Sequence, residues 1–101
     1  MYFLNFANME ERLQNDLVGL RRNGHKVENV IIGNPMDEYW KDKIEEATKK
    51  AIEKWVQTHT YMGFPVVVDP LMPVNQIKIM FRNFAGLLDQ ITITGIMEEK
   101  L

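Results

Sequence analysis

Three prolines, Pro65, Pro70 and Pro73, fall within nine positions of the stretch Tyr61-Met62-Gly63-Phe64-Pro65-Val66-Val67-Val68-Asp69-Pro70-Leu71-Met72-Pro73-Val74. Proline has no N–H to donate and its ring clashes with the preceding helical turn, so no helix can cross this stretch. The β-branched run Val66-Val67-Val68 makes it a strand instead. Pro65 puts the start of that strand at a sheet edge or just ahead of the paired residues. Two further segments, Gln76-Ile77-Lys78-Ile79-Met80-Phe81 and Gln90-Ile91-Thr92-Ile93-Thr94-Gly95, alternate apolar with polar residues, as half-buried antiparallel strands do. The C-terminal half is therefore a sheet.

The N-terminal half carries helical periods. Tyr2-Phe3-Leu4-Asn5-Phe6 is short and aromatic and reads as a strand or a docked extended arm. Asn8 then stands as an N-cap with Glu11 three residues later, and Met9, Leu13, Leu17 and Leu20 repeat at helical spacing, which predicts a helix over 9–22. Arg21 and Arg22 suit its negative C-terminal end, and Asn23-Gly24 supplies the left-handed stop. Val27 to Gly33 reads as a strand buried on both faces. Asn34-Pro35-Met36-Asp37 offers a cap, a proline for the first turn and an acid, predicting a second helix over 36–58. Its apolar stripe is Trp40, Ile44, Ala47, Ala51, Ile52 and Trp55. Residues 97–101 read as a frayed tail.

The expected fold is α/β, with α+β also compatible: two helices on a mixed sheet of four to five strands, its C-terminal part antiparallel, in one domain over 1–101. Leu13, Leu17, Val30, Ile32, Ile44, Ile52, Trp55, Val67 and Ile79 are its expected core. A chain of 101 residues can bury about two-thirds of its surface, enough for one core without covalent staples.

Chemistry is restricted by what the chain lacks. It has no cysteine and no serine, so disulfides, zinc–thiolate sites, cysteine-ligated clusters and the usual nucleophiles are excluded. His25 and His59 each follow a helix end, where the dipole favours a partly positive ring, and no metal-ligand spacing joins them. Asp69 and Asp89 are the carboxylates an acid–base enzyme would have to use, and their spacing does not ask for it. The expectation is a protein without catalytic residues, metal or cofactor. Twelve Lys and Arg against fourteen Asp and Glu leave a net charge of −2, which disfavours binding to nucleic-acid phosphates. The one local basic cluster is Arg21, Arg22, His25 and Lys26, which together with Arg82 forms a candidate anion site. No apolar run is long enough to span a bilayer, which predicts a soluble protein of the cytoplasm.

The stretch from Tyr61 to Ile77, following a helix and an earlier strand that ends Ile31-Ile32-Gly33-Asn34-Pro35, resembles a pattern in tailed-bacteriophage proteins, in which a glycine–hydrophobic–proline–valine strand, a proline-rich turn and a second strand form a hairpin. The likeness covers residues 27–80. It implies a small phage-encoded protein, either a virion component or an accessory protein acting in the host cytoplasm, and carries no catalytic residues. The expected function is that of a non-enzymatic structural or interaction protein acting as a homo-oligomer or within an assembly. The alternative is an accessory protein that inhibits a host defence factor or sequesters a small anionic ligand. Tyr61, Met62, Phe64, Pro65, Val66, Leu71 and Met72 are the expected contact surface, because a strand edge beside aromatic and methionine side chains is costly to leave in water. Its partner is a second copy or another phage or host protein.

Overall fold

The computed structural model describes residues 1–99. In chain order the elements are β1 (Tyr2–Leu4), α1 (Phe6–Arg22), β2 (Lys26–Gly33), α2 (Glu46–Thr58), β3 (Thr60–Tyr61), β4 (Phe64–Asp69), β5 (Gln76–Arg82), β6 (Leu88–Thr94) and β7 (Met97–Glu99). Five strands form a mixed sheet in the order β3-β4-β2-β5-β6, and β1 pairs with β7 in a separate two-stranded ribbon. Among the described residues, only β2 and β4 run parallel. The fold is α+β, and its long axis is about twice its short ones, 46 × 24 × 21 Å.

Both helices lie on one face of the large sheet. Val30 and Ile32 of β2, Val66 of β4, Ile77, Ile79 and Phe81 of β5 and Ile93 of β6 point into a single core with Met9, Leu13 and Leu17 of α1 and Ile52 and Trp55 of α2. Among the described residues, no helix lies on the opposite face. Val67, expected in the core, is on that open face and 46% exposed, opposite the half-buried Ile31. The physical reason is parity: side chains alternate along a strand, so Val66 and Val68 turn inward and Val67 outward. For the same reason β2 is buried on one face rather than both. A bulge between Val27 and Asn29 lets Val27 and Val30 share the inner face.

Three boundaries differ from expectation. Helix α1 starts at Phe6 because Asn5, not Asn8, is its cap; the Asn5 side chain accepts from the Asn8 N–H at 3.1 Å, and the Phe6 ring docks 5.4 Å from that of Trp55. Helix α2 starts at Glu46 rather than at residue 36. Asn34 and Asp37 do accept backbone hydrogen bonds, but from Met36 and Tyr39, two residues on, which holds 34–45 in turns instead of a helix. The Lys43 carbonyl is then free to accept from the Leu4 N–H at 2.8 Å, so this segment anchors β1. Ile44 is buried and Trp40 half-buried, as the apolar stripe predicts, although both lie ahead of the helix. Finally, residues 97–99 of the expected frayed tail form β7, in register Tyr2↔Glu99 to Leu4↔Met97. Residues 100 and 101 of that tail lie outside the described residues.

Candidate functional site

The segment expected to make contacts is divided by the fold. Met62 and Gly63, both at positive φ, make the tight turn between β3 and β4. That turn sends Tyr61 inward, 4.3 Å from the Trp55 ring, while Val66 and Met72 also join the interior. The Tyr61 hydroxyl donates to Glu10 Oε2 at 3.0 Å and accepts from Gln14 Nε2 at 2.9 Å. Burial, and secondarily the Glu10 carboxylate, push its pKa up to about 12 against the opposing Gln14 contact. Phe64 is half-buried, and Met62, Pro65 and Leu71 remain on the surface, with Leu71 93% exposed. Leu71 sits on a loop pinned by the Asp69 carboxylate, which accepts from the Leu71 N–H.

The basic residues, by contrast, are gathered at one end of the molecule. Arg21 and Arg22 close α1, the His25 N–H donates to the Leu20 carbonyl, and Lys26 lies directly across from Arg82 in the β2–β5 register. Arg82 Nε bonds Glu28 Oε1 at 3.1 Å and its Nη1 reaches the Gly86 carbonyl. The His25 ring lies between Phe81 and Phe84, with centroids 5.5 and 5.8 Å away, and its Nδ1 is buried without a hydrogen-bond partner.

The same end carries apolar side chains that the sequence reading passed over. In the β5–β6 turn, the Asn83 carboxamide oxygen accepts from the N–H groups of Ala85 and Leu87, and Gly86 takes positive φ. This projects Phe84, Leu87 and Leu88 outward at 84%, 66% and 55% exposure. They adjoin β6, the outermost strand of the sheet on that side. The signal available in the sequence was Phe84 and Leu87-Leu88 flanking a turn glycine.

No constellation for acid–base work is assembled from the expected carboxylates. Asp69 ends β4 and Asp89 belongs to β6; β2 and β5 lie between them, about 14 Å across the sheet at ordinary strand spacing, and the register sets Asp69 level with Thr94, five residues along β6 from Asp89, so the two are about 20 Å apart. Among the described residues, no group of three or more His, Asp or Glu is placed to hold a metal ion, and no helix is long and apolar enough to cross a membrane. A cleft of about 450 Å³ between β1, α1 and α2 is lined by Glu10, Glu45 and Glu98, of which Glu10 accepts from the Tyr61 hydroxyl and Glu98 from the Asn5 carboxamide. The chain shows no significant similarity to any known protein family, curated protein or solved structure.

Proposed function

We propose that this chain is a non-enzymatic structural or interaction protein that works by contact with a second copy or with another protein of a larger assembly. One observation carries the reading: Phe84, Leu87 and Leu88 stand in water together at the end of an unpaired edge strand, although the core is complete without them. Transfer of such side chains from water is worth roughly 1.5–3 kcal/mol each before the entropic cost of association is subtracted. On this reading the resemblance of residues 27–80 makes a tailed-phage particle, or the cytoplasm of its host, the setting of the assembly. Native mass measurement of the purified protein tests it. A mass above that of one chain, or a co-purifying protein, is expected; a monomer that retains no partner from its source cells refutes the reading.

A second reading is favoured by a separate observation, the in-register Lys26 and Arg82, with Arg21 and Arg22 in the last turn of the helix that leads into β2. Like charges opposite each other cost stability; the Glu28 carboxylate paired with Arg82 offsets part of that cost, and a small anionic ligand would offset the rest. Inorganic pyrophosphate is then expected to raise the melting temperature of the wild type but not of a Lys26→Glu variant. An equal or absent shift in both removes this alternative.

A further inference from the structure

Strand β6 is a free edge whose outward-facing groups can be identified. The Gly95 N–H donates to the Asn75 carbonyl at 2.6 Å, and the Asn83 N–H donates to the Leu87 carbonyl at 2.9 Å, so both ends of the β5–β6 hairpin fix the alternation of the ladder. Asp89, Ile91 and Ile93 bond toward β5, and Leu88, Gln90, Thr92 and Thr94 present their N–H and C=O groups to the outside. Native edges are normally protected by lysine, proline or a bulge. Strand β6 contains none of these, and its register with β5 is unbroken from Gln76↔Thr94 to Arg82↔Leu88. Two light guards occupy it instead: the Asp89 carboxylate accepts from the Gln90 N–H, and Arg12 reaches from α1 to the Thr94 carbonyl.

We propose that β6 pairs antiparallel with β6 of a second copy about a two-fold axis at Ile91, joining two five-stranded sheets into one. This rests on the self-association reading above and names its interface. An axis at Ile91 sets Leu88 opposite Thr94 and Gln90 opposite Thr92, and all four are outward-facing residues, so the ladder continues without a change of parity. Charges match as well as hydrogen bonds. Asp89 lies on the helix-side face, since its register partner Phe81 points into the core, and that is the face from which Arg12 approaches Thr94. The axis brings Asp89 of one protomer opposite Ile93 of the partner subunit, beside the partner's Arg12. Both guards thereby become an ion pair, formed twice. Apolar ends match too: Leu87 and Leu88 at one end of the strand meet the partner's end that holds Ile96, itself 56% exposed.

Light scattering with size exclusion on charge-swapped variants tests the interface. Arg12 and Asp89 are exposed, so Arg12→Glu and Asp89→Arg are tolerated by the fold. Wild type is expected to be a dimer at about 100 μM, each single variant is expected to dissociate with a dissociation constant raised at least about tenfold, and the double variant is expected to recover the dimer. Thr92→Pro removes an outward N–H that β5 does not use and is expected to give a folded monomer. A monomeric wild type overturns the proposal. A dimer that these variants leave intact also overturns it, and if Leu71→Asp then dissociates that dimer, the broader reading survives with its interface on the 61–74 segment instead.

Discussion

Replacing Gly33 by alanine is expected to be among the most damaging single-methyl additions in the protein. Gly33 is the last residue of β2, and the loop carrying Leu71, Met72 and Pro73 passes directly over it. A Cβ built there meets the Pro73 carbonyl and stands 2.6 Å from the Met72 carbonyl oxygen, inside the 3.0 Å that real Cβ atoms keep. The opposing atoms are backbone and cannot rotate away, so the loop must lift. Met72 and Val74, both buried, ride on that loop. Partial loss of two such side chains, each worth roughly 1.5–3 kcal/mol when fully buried, predicts a loss of about 2–4 kcal/mol. For a domain of this size each kcal/mol moves Tm by about 4–8 °C, so a fall of at least about 8 °C is expected. Urea denaturation followed by circular dichroism gives the free energy. Gly63→Ala is the internal comparison: its added methyl meets nothing within 4 Å, and its cost is that of positive φ alone, about 1 kcal/mol. If Gly33→Ala costs no more than Gly63→Ala, the close approach is not what holds the loop.

Three other expectations follow from single residues. The Tyr61 phenol has a higher pKa in the folded state than in the unfolded chain, so the fold holds that proton more tightly: the contribution is intact below pH 10 and is lost as pH rises toward 12. Tyr61→Phe should therefore flatten the decline of the urea midpoint between pH 10 and 12 relative to wild type, and parallel curves would refute the linkage. His59 ends α2 in the left-handed conformation at φ 56°, so His59→Gly should gain about 0.5–1 kcal/mol by calorimetry, and a loss would show that the ring makes a compensating contact. Met9 is fully buried in α1, and Met9→Ala should cost about 2–5 kcal/mol; a value under 1 would mean that the site collapses around the smaller side chain.

Where local signals were unopposed, the sequence was readable. The stop at Asn23-Gly24, the alternation of β5 and β6 and the apolar stripe of α1 all depend on neighbours in the chain, and all are where the residues indicate. The start of α2 was not readable, because Asn34 and Asp37 serve helix caps and side-chain turns with the same oxygen atoms. What decides between the two is the Lys43 carbonyl bonded to Leu4, a contact between residues about forty apart in the chain. Three successive valines have no alternation from which to read a face, so the expectation that Val67 lies in the core falls on the wrong side of the sheet. For the candidate site, the proximity of Arg21, Arg22, His25 and Lys26 was legible because they fall within six positions, and the β2–β5 register sets Arg82 across from Lys26. The free edge was not: Leu88-Asp89-Gln90-Ile91-Thr92-Ile93-Thr94 reads the same whether it has one neighbouring strand or two.

The position of β2 at the centre of the sheet has a consequence for how the protein is made. Both of its neighbours, β4 and β5, are encoded after it, and the second is complete only at Arg82, about 50 residues past Gly33. At ordinary synthesis rates that interval is roughly 2–10 s. During it, the nascent chain carries Val30-Ile31-Ile32 with neither side of the backbone paired, and α1 has no sheet on which to lay its leucines. Ribosome-bound fragments stopped before residue 64 should accordingly be protease-sensitive and chaperone-bound, and protection should arrive late and all at once rather than helix by helix.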